Sequence, residues 1–279
     1  MYCRVHSGLK NLSLLKLASY KSVLMARSIL TEEELRRYSR NIILPDIGEA
    51  GQQKLKKAKV LVIGAGGLGS PALLYLAATG IGHIGIIDSD KVELSNLQRQ
   101  IIHETGDISR PKAESARDAL HDLNPLVHVE SHTFRLTEKN AAALIPEYDI
   151  ILDGSDNIGT RFLVNDTCHA AKKSLVSGAI VGFQGQVSVF KSHIPGNNPC
   201  YRCLYPEPPP EDAMPSCAEN GVFSPLGGIM GSLMAAEAIK ELTGAGESLS
   251  GYVLLVDLLK NNFRKVKLNR DSECSACNG

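Results

Sequence analysis

The chain carries no net charge, its 30 Lys and Arg being balanced by 30 Asp and Glu. There is no bulk field to draw it to nucleic acid or to an anionic membrane surface. Nor does any apolar run reach the roughly 20 residues that a membrane span needs, so neither partner is expected. An even set of cysteines is also missing. Seven are present, and an odd count argues against a secreted disulfide framework. Reduced thiols and a cytoplasmic setting are expected instead. Residues 1–27 lack any acidic residue, yet carry Arg4, Lys10, Lys16, Lys21 and Arg27 among several serines. They are expected to be a basic leader outside the fold, either a disordered tail or an over-extended start with Met25 as initiator. Import into an organelle is the alternative. The eight histidines show no metal-ligand spacing.

What is present centres on residues 59–80, KVLVIGAGGLGSPALLYLAATG. Val60–Ile63 is a short continuous apolar run, as a strand buried on both faces requires. Gly64, Gly66 and Gly69 follow at G-x-G-x-x-G spacing, and Leu73, Leu74, Leu76 and Ala77 then recur at helical spacing. Strand, glycine turn and helix in that order make a phosphate site. The glycines admit a close ligand, and the helix start offers free N–H groups and a partial positive charge. A second apolar run, Ile84–Ile87, ends in Asp88, placed where an acid binds ribose hydroxyls.

Thr31 and Glu34 form a capping box that opens a helix over TEEELRRYSRN. Its Arg36, Arg37 and Arg40 read as a solvated basic face, with a functional role for one of them kept open. The polar connection DSDKVELSNLQRQIIH carries Asp90, Asn96, Gln98, Arg99 and Gln100. Pro111 starts a further helix with Lys112 in its first turn, where a cation opposes the helix dipole. An anionic ligand would supply the reason for it. Strands are expected near 127–131, 148–153, 175–176 and 186–190, with helices over 138–145 and 157–171. This alternation gives an α/β fold: a Rossmann-like, mainly parallel sheet flanked by helices. It should continue into a mixed sheet that ends in an antiparallel hairpin, 252–258 with 263–268. A proline-rich loop at 195–215 and an apolar helix at 227–242 precede that hairpin. Residues 28–279 are expected to form a single domain.

Four clusters point at one site: the glycine loop, Asp88 with Asp90, the SNLQRQ segment with Lys112, and Asp156 beside Asn157. A redox dinucleotide needs only the first two. Arg99 and Lys112 add cationic donors for a polyphosphate, and Asp156 offers a hard oxygen ligand for Mg²⁺. The set favours ATP over NAD. Cys200/Cys203 and Cys274/Cys277 form two C-x-x-C pairs about seventy residues apart, which one structural Zn²⁺ held by four thiolates would explain.

RRYSRNIIL, GAGGLGS, DSDKVELSNLQRQ, PKAESA, LDGSDN with Arg161, CYRC and CSAC occur in this order from about residue 31 to the end. Together they resemble the ubiquitin-activating-like adenylyltransferases, the MoeB/ThiF/HesA family, and most of all its molybdopterin-synthase (MoeB) type. The resemblance implies adenylylation of the C-terminal Gly-Gly carboxylate of a small ubiquitin-like sulfur carrier. It implies that Gly67, within the loop of Gly64, Gly66 and Gly69, lies against the nucleotide phosphates and that Asp88 binds the ribose. Asn96, Arg99 and Lys112 would contact phosphates, and Asp156 would hold Mg²⁺. Arg40 would reach across a homodimer into the partner's site. Asn41 stands where relatives often have Gln. Cys217 occupies the place of a loop cysteine that can bond covalently to the carrier, and a loop cysteine with no chemical role is the other reading. The rivals are the equivalent enzyme for a thiazole carrier, an NAD-dependent oxidoreductase with structural zinc, and a non-catalytic nucleotide-binding scaffold.

Overall fold

The structure, a computed structural model, describes residues 29–208 and 220–278. The basic leader and Cys217 lie outside the described residues. The capping box at Thr31 is present, with the Thr31 side chain accepting from the Glu34 N–H and the Glu34 carboxylate accepting from the Thr31 N–H. The expected helix is nevertheless two short ones, α1 (Glu32–Arg37) and α2 (Ser39–Ile42), broken at Tyr38. Tyr38 is buried there, with its hydroxyl 2.9 Å from Asn124 Nδ2. A further helix, α3 (Gly48–Lys57), was not expected, because its sequence GEAGQQKLKK shows a single large apolar residue, Leu55.

One eight-stranded sheet follows. Its elements are β1 (Lys59–Ile63), α4 (Gly69–Thr79), β2 (His83–Ile87), α5 (Lys112–Leu123), β3 (His128–His132), α6 (Glu138–Leu144), β4 (Ile150–Asp153), α7 (Ile158–Ala170) and β5 (Ser174–Val181). They continue with β6 (Gln184–Phe190), α8 (Tyr201–Leu204), α9 (Ser224–Thr243), β7 (Tyr252–Asp257) and β8 (Asn262–Lys267). The strand order is β3-β2-β1-β4-β5-β6-β7-β8, parallel through β5 and antiparallel beyond it.

The parallel half stops one strand earlier than the sequence pattern suggests. Val181 pairs with Gln184, so residues 182–183 form a two-residue turn, and Gly182 takes φ +54° within it. A connection that short joins only antiparallel strands. The expected closing hairpin, β7 with β8, is antiparallel and follows.

The order 3-2-1-4 reverses between β1 and β4, and open α/β sheets bind ligands in the crevice at such a switch point. Apolar cores lie on both faces of the sheet. Leu73, Leu76, Leu120, Met230 and Met234 pack on one, and Ile145, Phe162 and Val164 on the other. Helix α9 lies unusually close to β5 and β6. A Cβ built on Gly178 would sit 2.4 Å from Met234 Sδ, and one on Gly185 2.7 Å from Met230 Cγ.

Candidate functional site

Ile63 ends β1 beside Ile87 of β2 and Asp153 of β4, so three loops open at one edge. Gly64 turns the chain with φ +91° while its N–H donates to Ile87 O at 2.8 Å. A Cβ on Gly69 would fall 1.8 Å from Gly64 O, so only glycine closes this turn. No side chain caps the first turn of α4, where the Ser70 N–H donates to Gly66 O at 2.8 Å, the Ala72 N–H to Leu68 O at 3.3 Å, and Pro71 has no N–H. The helix start thus offers an anion the Gly69 N–H and its partial positive charge. The start of α9 covers the loop from above. A Cβ on Gly227 would meet Gly67 O at 2.7 Å, and one on Gly231 would meet Leu68 O at 2.3 Å.

Asp88 bridges the loops. Its Oδ2 accepts from the Ala65 N–H at 2.8 Å and its Oδ1 from the Asp90 N–H at 2.9 Å. Burial pushes its carboxyl up, against the pull of the Asp90 N–H, the Lys112 ammonium and the Ala65 N–H. Lys112, the first residue of α5, is buried, and its Nζ lies 3.1 Å from Asp90 Oδ2. Its backbone N–H donates to Asp90 O at 2.9 Å. The two cations of the expected site are thus held differently. Arg99 lies with its stem along the glycine loop, since a Cβ on Gly67 would be 3.5 Å from its Cγ. Its guanidinium donates to Ser95 O at 3.1 Å, and among the described residues no carboxylate pairs with it. Asn96 is buried, with Oδ1 taken by the Glu93 N–H at 3.2 Å, so what it offers a ligand is its amide NH₂.

The β4 loop meets the glycine loop directly, because a Cβ on Gly64 would be 3.2 Å from Gly154 O. Asp153 is fully buried. Its Oδ1 accepts from the Ser155 N–H at 3.0 Å and from the Ser155 hydroxyl at 2.6 Å, while its Oδ2 has no partner among the described residues. Arg161 donates from α7 to Gly178 O at 2.8 Å and to Ser155 O, fastening this loop to β5. Asp156, next along, is exposed, and none of the described cations pairs with it. One free carboxylate beside a phosphate site fits Mg²⁺, which takes one or two protein carboxylates and otherwise phosphate oxygens and water. Asn157 caps α7 through Oδ1, which accepts from the Thr160 N–H at 2.9 Å and from the Thr160 hydroxyl at 3.2 Å.

The four paired cysteines converge far from this edge in sequence but in one place in space. All four Sγ atoms lie within 4.8 Å of one another, with Cys200–Cys274 at 3.5 Å, Cys203–Cys277 at 3.6 Å and Cys200–Cys203 at 3.9 Å. A tetrahedral ZnS₄ site with bonds of about 2.3 Å has sulfur–sulfur edges of roughly 3.8 Å. The donor set therefore fits a closed structural zinc. Hydrogen bonding with Cys200 pulls the Cys203 thiol down, and its Sγ accepts from the Cys200 N–H and the Asp271 N–H, each at 3.4 Å.

Residues 38–276 match the ThiF family. The chain belongs to the ThiF family. It is 51% identical over 251 residues to the Thermus thermophilus sulfur carrier protein adenylyltransferase, covering 88% of this chain and 92% of that protein. It is 52% identical over 245 residues to the Mycobacterium tuberculosis probable adenylyltransferase/sulfurtransferase MoeZ, covering 88% of this chain and 62% of that longer protein. In fold it is similar to crystalline E. coli MccB with ATP, at a TM-score of 0.77 and 24% identity over 96% of this chain and 83% of the other.

Not every expected residue of this ThiF-family chain reaches the edge. Arg40 is exposed and lies two residues past Tyr38, whose ring stands over Gly80 at the far end of α4. The 11 residues of α4 span about 16 Å. Arg40 is therefore not brought to the glycine loop of its own chain. One residue was missed altogether. His103 is buried with Nε2 3.0 Å from Ala65 O and Nδ1 2.7 Å from Ser115 Oγ. Nothing in the sequence ties it to Ala65, 38 positions earlier, and histidines without metal-ligand spacing read as structural or solvent-facing.

Proposed function

We propose that the chain adenylylates the C-terminal Gly-Gly carboxylate of a small ubiquitin-like sulfur-carrier protein, releasing pyrophosphate. The observation that carries this reading is the pair of cations around the glycine loop: Arg99 along Gly67, and Lys112 buried beside the Asp88 network. A dinucleotide redox enzyme would leave both idle, together with Asp156. The names of the Thermus and mycobacterial relatives support it as well.

The chemistry suits such a site. A terminal carboxylate has a reference pKa of about 3.5 and is ionised at neutral pH, so no general base is needed. Its oxygen attacks the α-phosphorus of ATP, the bond to the bridging oxygen breaks, and pyrophosphate carries the electron pair away. The chain aligns the two anions and neutralises the charge that gathers on the phosphorus. Arg99 and Lys112 supply donors, the glycine loop and the positive start of α4 take the phosphates, and Asp88 takes the ribose. Mg²⁺ on Asp156 would offset the remaining phosphate charge. Within this reading the carrier of molybdenum-cofactor synthesis is favoured over the thiazole carrier, on the strength of the MoeB-type motifs. The working form is a homodimer, with Arg40 serving the partner's site, and the setting is cytoplasmic.

ATP–pyrophosphate exchange tests the reaction. It should depend on a Gly-Gly carrier, and Arg99→Ala or Asp156→Ala should lower it by about 10²-fold, as for a lost transition-state charge contact. Wild-type rates in both variants exclude the assignment. Stabilisation by NAD but not by ATP with Mg²⁺ in a thermal-shift assay would favour the oxidoreductase.

A further inference from the structure

Ala65 is gripped through both of the peptide groups that flank it. Asp88 Oδ2 accepts its N–H at 2.8 Å, and His103 Nε2 lies 3.0 Å from its carbonyl oxygen. A carbonyl only accepts, so Nε2 carries the proton, which leaves Nδ1 as an acceptor 2.7 Å from the Ser115 hydroxyl, whose other hydrogen-bonding neighbour is the Asp107 carboxylate. Ser115 stands one turn after Lys112 on α5, and Lys112 returns to Asp90, whose N–H donates to Asp88. A closed circuit results: Asp88, Ala65, His103, Ser115, Lys112 and Asp90. It joins the ends of β1 and β2 to the start of α5.

We propose that His103 is a positioning residue, which through the Ala65 carbonyl sets the glycine loop at its distance from Asp88 and Lys112. The inference rests on the nucleotide reading above. His103 touches no reacting atom. It acts because turning the Ala65–Gly66 peptide would redirect the Gly66 N–H in the loop, and the change of dihedral angles at Ala65 would disturb the adjoining N–H bond to Asp88. The ring is 6% exposed, so water does not replace the lost bond, and the other donor on the Ala65 carbonyl is the more distant Ser70 hydroxyl at 3.4 Å. Ser115 has the complementary task of holding the tautomer.

Two substitutions separate these bonds. In His103→Gln the side-chain amide reaches the position of Nε2 and keeps a donor for Ala65. In His103→Asn it reaches only the position of Nδ1 and keeps the acceptor for Ser115. Calorimetric titration of the full chain with ATP and Mg²⁺ should give a Kd within about 3-fold of wild type for the Gln variant. The Asn variant should bind about 10-fold or more weakly, at a similar unfolding midpoint, because one charge-linked hydrogen-bond network is opened. Long-range ¹⁵N–¹H NMR of the wild type should show His103 protonated at Nε2. Equal ATP affinities for the two variants, or a ring protonated at Nδ1 alone, would overturn the proposal. A wild-type chain that binds no ATP would instead overturn the nucleotide reading, and this inference with it.

Discussion

Lys112 Nζ lies 3.1 Å from Asp90 Oδ2, with the lysine side chain 8% exposed and the aspartate side chain 67% exposed. An exposed carboxylate is well solvated without the lysine, so the pair adds little stability, while the buried ammonium still bears a desolvation cost. On the reading proposed above, the lysine meets an anion that arrives from outside. Lys112→Met should therefore be neutral or stabilising to urea unfolding, by up to about 2 kcal/mol, and should lower pyrophosphate exchange by about 10²-fold. Loss of stability alongside activity would mean that the lysine serves the fold.

Arg40 belongs to the opposite end of α4 from the glycine loop. Arg40→Ala and Asp156→Ala subunits should each be weakly active alone. Mixed and allowed to exchange, they should regain up to about a quarter of wild-type activity, because half the dimers are mixed and each mixed dimer has one intact site. A monomer of full activity in size-exclusion chromatography would exclude action in trans.

Gly227 and Gly228 are neighbours on α9 with opposite surroundings. A Cβ on Gly227 would lie 2.7 Å from Gly67 O, whereas one on Gly228 meets nothing within 4 Å. Gly227→Ala should push α9 off the glycine loop, costing about 1–3 kcal/mol and weakening ATP binding. Gly228→Ala should stabilise by up to about 1 kcal/mol through helix propensity and leave ATP binding as it was. Chemical denaturation and ATP titration of both variants decide it.

Elemental analysis should find one Zn²⁺ per chain, and Cys274→Ser should lose it. The segment around Cys274 should then become protease-sensitive, since its described ties to the rest of the chain run through the cysteines, through Asn269 to Asn197, and through Arg270 to Asn197 and Ser192. ATP affinity should change much less, because α8 keeps its own dock on α7. Arg202 grips Asp166 at 2.7 Å, and the Tyr201 N–H donates to Asn165 at 2.7 Å. Stoichiometric zinc in Cys274→Ser would refute the four-cysteine site.

Three histidines should make the fold sensitive to mild acid. Burial lowers His83 below its ordinary 6.5, with His128 and Lys59 beside it adding to the effect and Glu130 opposing it. Burial does the same to His103, where Lys112 adds and the Ala65 carbonyl and Asp107 oppose, and to His193, where His169, Lys191 and Lys172 add. A depressed base binds fewer protons folded than unfolded, so stability falls as pH drops through 6.5 towards the folded values. The unfolding midpoint should decline between about pH 7.5 and pH 5.5, with proton uptake on unfolding. A flat or rising midpoint over that range would contradict this.

Local order alone settled much of this protein. The apolar run at Val60–Ile63, the glycines after it and the helical spacing behind them impose strand, turn and helix through short-range sterics, and the structure has each in place. The two C-x-x-C pairs announced one tetrahedral site because thiolate chemistry leaves few other uses for such spacing, and the four sulfurs do converge. Tertiary structure decided the rest. The two-residue turn at Gly182 reversed β6, which β propensity could not foretell, since parallel and antiparallel strands share one local conformation. The grip of His103 on Ala65, the cover of α9 over Gly67 and the distance of Arg40 from the glycine loop all join residues remote in sequence. Such contacts depend on how the layers pack, and no local pattern of side chains encodes them.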